Sequence, residues 1–213
     1  MTFNYEADPQ RIEQESFRLI RDLVAIENFD PVQQQVLLRM VHSLGTPEIV
    51  GQARFSNNAC EQGLKAITQA GPLLCDVEMV KHGITKRLIS REPLCYVNHE
   101  QVAPRAKENG ETRAMAAVEL WAPQLKDSIV IIGNAPTALF RLLEMLQSGA
   151  PKPALIIGMP VGFVGAAEAK QTLWDHHELL GVECITLLGR QGGSAVACAV
   201  CNALLRCHHG DTH

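Results

Sequence analysis

Aromatic residues make up only 5% of this 213-residue chain. That scarcity, with no evident phosphate loop, counts against a flavin site. Basic charge is not in excess: the formal net charge is -4 and the pI about 6.1, so nucleic acid is not an expected partner and any bound anion must meet a local cluster of donors. No apolar run approaches the ~20 residues needed to cross a bilayer, and the first residues carry neither a basic nor an apolar signal region. A cytoplasmic protein is therefore expected, with no membrane contact. The dinucleotide fingerprint G-x-G-x-x-G after a first strand and the P-loop G-x-x-x-x-G-K-[ST] are both missing. There is no repeat, low-complexity tract or linker.

What remains, 46% hydrophobic residues in 213, suits one well-buried core, and a single domain over residues 1–213 is expected. The seven cysteines are an odd set placed mostly in apolar segments, which reads as reduced thiols packing as small hydrophobes.

Residues 1–55 are helical in pattern. Asp8-Pro9 supplies a cap and an N1 proline, and Ile12, Phe17, Ile20, Leu23 and Val24 follow at near-helical spacing. Asp30-Pro31 opens a second helix with Val36, Leu37, Met40 and Val41 on its apolar side, stopped at Gly45. His42 thus falls near a helix end. After a polar helix from about Asn57 to Ala70, compact apolar runs read as buried strands: Leu73 to Val80, Ser128 to Ile132, Ala154 to Met159, and Cys184 to Leu188, with a short one at Leu94 to Val97. Helical patterns at Thr112 to Leu125, Thr137 to Gln147, Gly165 to Leu180 and Ser194 to Leu205 alternate with them, as a parallel α/β sheet requires. Residues 206–213 read as a polar tail.

Ligands of an open parallel sheet bind beyond the carboxyl ends of its strands. Three strands here run into small-residue turns: Gly133 to Thr137, Gly158 to Gly162, and Gly189 to Ser194. Each precedes a helix whose free N–H groups suit a carboxylate or phosphate; the alternative is that they merely join strand to helix. His208, His209 and His213, with Cys198, Cys201 and Cys207, imitate a metal cluster. Cys198 and Cys201 share the apolar face of one helix, however, so packing is the better reading and no metal is expected. His176, His177 and His99 read as surface histidines. His42 stands apart, with Arg39 three residues before it and Ser43 after it, and histidine titrates where a general acid is useful; a core or capping role is the alternative.

The segments Arg39-Met40-Val41-His42, Leu74 to Val80, Thr112-Arg113, Gly133 to Leu139, Gly158 to Glu168, and Gly189 to Ser194 together resemble the precorrin-8X methylmutases, in the family's order and with similar spacing. The likeness implies an α/β fold of flavodoxin-like, doubly wound type: a mainly parallel sheet, helices on both faces, a helical N-terminal segment. It implies an isomerase of cobalamin biosynthesis that moves a methyl group from carbon 11 to carbon 12 of precorrin-8X or cobalt-precorrin-8, giving hydrogenobyrinic acid or cobyrinic acid. It further implies a homodimer with pockets near the interface. Hand-over to neighbouring enzymes of the pathway would follow.

By place in the matching motifs, His42 is the expected acid at the ring-C nitrogen. Arg39, Arg113, Ser16, Tyr5, Thr112, Asn134, Gly162 and Gly192 are the expected substrate-binding residues. Arg113 has the alternative of a helix-surface arginine. Asp76 and Glu78 are read as strand-end capping or ion-pair groups and left out of the catalytic set. No cofactor is expected, cobalt where present being part of the substrate. The rival readings are a tetrapyrrole carrier without catalysis and a flavodoxin-like small-molecule binder.

Overall fold

The computed structural model describes residues 3–212. The chain opens with two capped helices, α1 (Pro9–Leu23) and α2 (Pro31–Leu44). Asp8 accepts N–H bonds from Gln10 and Arg11. Asp30 and Gln33 form a reciprocal capping box. Gly45, in the left-handed region at φ 64°, ends α2. On α1 only Phe17 and Ile20 are buried within the helix, while Ile12 and Leu23 face solvent.

Next come β1 (Ala53–Phe55), α3 (Ala59–Thr68), β2 (Leu73–Cys75), α4 (Glu78–Gly83) and β3 (Leu94–Cys95). The second part holds α5 (Val102–Asn109), α6 (Arg113–Glu119), β4 (Ile129–Ile132), α7 (Pro136–Gln147), β5 (Leu155–Gly158), α8 (Ala166–Leu180), β6 (Cys184–Leu187) and α9 (Ser194–His208). Among the described residues the sheet has six strands in the order β1-β6-β5-β4-β2-β3. β2 to β6 are parallel, and β1 pairs antiparallel with β6. Without β1 the order β3-β2-β4-β5-β6 is the flavodoxin-like doubly wound order, and its direction reverses between β2 and β4.

Alternation along each strand divides the core. Ile129, Ile131, Leu155, Ile157, Ile185 and Leu187 face α1, α2, α3 and α9, whereas Val130, Ile132, Ile156 and Cys184 face α7 and α8. Each such side chain contributes about 1.5–3 kcal/mol on burial, which is why the four-residue strands carry no polar interruption apart from Thr186, whose hydroxyl donates to the Gly158 carbonyl.

Four expectations need correction. Leu73 to Val80 is not one strand: pairing stops at Cys75 because Asp76 turns inward to bond another loop, and Met79 and Val80 belong to α4. Residues 1–55 are not all helical, since Ala53–Phe55 adds an edge strand. The helix from Thr112 breaks after Glu119 into a 3-10 turn containing Pro123. The tail from residue 206 begins inside α9, and residue 213 lies outside the described residues.

Candidate active site

His42 sits on the last turn of α2 and is exposed. Its Nδ1 lies 2.8 Å from the Ser16 hydroxyl of α1, and its ring stacks on Phe17 with centroids 5.2 Å apart. The same Phe17 ring also meets a cation: the Arg39 guanidinium lies 5.0 Å from its centroid and 3.2 Å from Glu13 Oε1. Burial, and then the positive charge of Arg206, hold the Arg39 guanidinium below its ordinary pKa. The α1–α2 pair thus brings together three predicted residues, His42, Ser16 and Arg39.

Of these, Arg39 and His42 line a groove of about 390 Å³. One wall is α2 (Arg39, His42, Ser43); another is Met79 of α4 with Gly83 and Thr85. The floor is one face of α9, where Ser194, Ala195, Cys198, Ala199, Asn202 and Arg206 recur at helical spacing. Small side chains leave room there for a broad, flat ligand. Asn202 fixes the floor by accepting from the Thr85 N–H and donating to the Gly83 carbonyl. Sequence reasoning took this face only as core; the signal it passed over was a run of small residues ending in an arginine.

The three glycine turns do line one edge, but two of them are occupied by the protein itself. Asp76, 1% exposed at the β2–β4 reversal, accepts N–H bonds from Gly133, Asn134 and Ala135 at 3.0, 2.8 and 2.9 Å. Burial raises its carboxyl above the ordinary range, with those three bonds pulling the other way. The donors predicted to invite a substrate carboxylate are therefore taken, and of Asn134 only the exposed side chain faces outward. Gly192 packs against backbone: a Cβ there would lie 2.5 Å from the Met159 carbonyl and 2.6 Å from that of Pro160. Glycine at 192 thus lets the turns after β5 and β6 interlock, with Gly193 donating to Met159 and Gly162 donating to Arg190.

Beneath that interlock Lys170 of α8 is 0% exposed, its ammonium donating to the Gln191 carbonyl. Burial lowers its pKa to about 8 from 10.5. Between those values the unfolded chain binds more protons than the folded one, so this group's contribution to stability rises with pH across that window. Denaturant unfolding of the wild type and Lys170→Met at pH 7.5 and pH 10 should show wild-type stability gaining on the variant by on the order of 2 kcal/mol. A constant difference would show that Lys170 does not titrate as a buried amine.

The remaining predicted residues lie elsewhere. Thr112 caps α6 and its hydroxyl meets that of Thr137 at 2.8 Å. Arg113 donates to the Val97 carbonyl and Asn98 Oδ1, which ties α6 to the loop after β3. Both stand on the side of the sheet away from α2 and α9. Tyr5 is exposed in the segment before α1, and Gly162 heads the exposed loop Val161, Phe163, Val164. His177, read as a surface residue, is half-buried against Trp174 with ring centroids 4.8 Å apart. Among the described residues no three His, Cys, Asp or Glu side chains converge as metal ligands, and no helix is long and apolar enough to cross a membrane.

The model of the precorrin-8X methylmutase family matches residues 11–207. The chain is 43% identical to a precorrin-8X methylmutase from Sinorhizobium sp over 96% of its length and 97% of that protein. It is 38% identical to a cobalt-precorrin-8 methylmutase from Salmonella typhimurium, covering 95% and 97%. The crystal structure of a precorrin-8X methylmutase from Thermus thermophilus superposes with a TM-score of 0.85 at 37% identity, covering 96% of this chain and 98% of that one.

Proposed function

The chain belongs to the precorrin-8X methylmutase family, and from that premise we propose that His42 is the acid for a methyl shift on a tetrapyrrole held in the α2–α4–α9 groove. It is an isomerase of the precorrin-8X or cobalt-precorrin-8 methylmutase class. The observation that carries the finer reading is that His42 lines the groove while its Nδ1 is held by the Ser16 hydroxyl. With that hydroxyl donating to Nδ1, the neutral ring carries its proton on Nε2, for which the described residues offer no hydrogen-bond acceptor.

The shift is intramolecular. The bond from the methyl to carbon 11 breaks as its bond to carbon 12 forms, and the double bonds relocate, so no redox cofactor, metal or covalent nucleophile enters the balance. His42 hydrogen-bonds or protonates the ring-C nitrogen, which draws electron density along the conjugated path. Arg39, against Phe17, receives a substrate carboxylate, and the small-residue floor of α9 positions the ring. Arg113, Thr112, Tyr5 and the Asn134 side chain contact the substrate's outer carboxylates across a homodimer. The exposed apolar loop of Val161, Phe163 and Val164, the last two 87% and 89% exposed, supports such an interface. The proposed setting is the cytoplasm, with product passed to later enzymes of the pathway.

Anaerobic incubation with metal-free precorrin-8X and, separately, cobalt-precorrin-8 tests the reading. Substoichiometric protein should convert many equivalents of at least one to the hydrogenobyrinic or cobyrinic acid chromophore. A spectral change limited to one equivalent would instead mark a carrier.

A further inference from the structure

The groove contains a second guanidinium that the proposed reaction does not use. Arg206 closes the far end of the α9 floor, about 18 Å along the helix from Ser194 at 1.5 Å per residue. Among the described residues no carboxylate lines the groove. Arg206 is instead neutralised from outside it: its Nη1 lies 2.5 Å from Asp211 Oδ2, while its buried Nε has no hydrogen-bond partner among the described residues. That carboxylate is delivered by a built turn. Beyond α9, Gly210 adopts φ 71°, the Gly210 N–H donates to the Cys207 carbonyl, and the Asp211 N–H donates to the Arg206 carbonyl. The chain folds back and sets the Asp211 side chain, 40% exposed, on its own helix end. Asp211 lies beyond residues 11–207, the part shared with the family.

Resting on the groove being the substrate site, we infer that Arg206 is a second anchor for a substrate carboxylate, paired with Arg39, and that Asp211 occupies it until substrate displaces it. Two cations in one groove are balanced by two rim carboxylates, Glu13 on Arg39 and Asp211 on Arg206. A ligand bearing several carboxylates displaces Glu13 and Asp211 into the water that already reaches 35% and 40% of their side chains, and gains bidentate guanidinium contacts inside the groove, which are strong.

The test is titration of hydrogenobyrinic acid into the full chain, followed by absorbance, with thermal melts to confirm folding. Asp211→Asn should lower the Kd about threefold, and Arg206→Ala should raise it about tenfold. Asp211→Asn placed in the Arg206→Ala background should change nothing, since the carboxylate then has no cation to block. In turnover, Arg206→Lys should raise KM with kcat unchanged, which a purely structural arginine would not do. If the wild type binds the acid while Asp211→Asn and Arg206→Ala bind it equally well, the anchor is overturned and the functional reading stands. A wild type that binds none of it overturns both.

Discussion

Alanine in place of His42 is expected to lower turnover by about 10²–10⁴-fold, the range a positioned general acid contributes, with affinity for the corrin product little changed. The separation follows from geometry. His42 reaches the groove from the end of α2, with Phe17 under its ring and Ser16 on Nδ1, so its loss removes the proposed proton donor without opening the core. Arg39 and the α9 floor, which are proposed to hold the ligand, remain in place. Ser16→Ala should give a smaller loss, on the order of tenfold, because the ring would keep its place on Phe17 but lose the bond that sets its tautomer. Stopped anaerobic assays of the product chromophore measure both. Wild-type turnover by the His42 variant would remove the acid from the mechanism.

The parts of the fold that were legible before the structure are those decided locally. β4, β5 and β6 are short, buried runs, apolar but for Thr186, closed by glycine or a turn, and α7, α8 and α9 follow each in the only order a parallel sheet accepts. β1 was not legible, because Ala53-Arg54-Phe55 is a strand only through its pairing with β6, more than a hundred residues later. α5 was missed for a related reason: with Pro104 and several charges it has little apolar pattern, and only Val102 and Ala106 are buried. The site divides along the same line. His42 and Arg39 share one helix turn and a family motif, whereas the groove they face needs α9 packed beside α2. Arg206, more than 160 residues away in sequence, could not be placed beside Arg39 by any local pattern.

Asp76 is where local pattern misled most, and its replacement should have the largest effect on stability. Its carboxylate holds the N–H groups of Gly133, Asn134 and Ala135, and its own N–H donates to the Ile131 carbonyl just past the last residue of β2. It therefore fastens the β2–β4 reversal to the start of α7 from 57 residues away. In Asp76→Ala three donors lose their acceptor in a place with little access to water. Each unmet buried donor costs about 1–3 kcal/mol, partly relieved by a water entering the space left behind. A total of about 3–5 kcal/mol is expected, a large share of the ~5–15 kcal/mol that stabilises a typical domain. Asp76→Asn should also lose stability, since one amide oxygen replaces two carboxylate oxygens and the amide NH2 is set against donors. Urea unfolding should show the midpoint falling with an unchanged slope. Because the vacated turn would then be the anion site that its glycines and helix N-terminus suggested, formate should partly restore the midpoint of Asp76→Ala and leave the wild type unmoved. A midpoint within error of wild type for Asp76→Ala would mean that the turn holds itself.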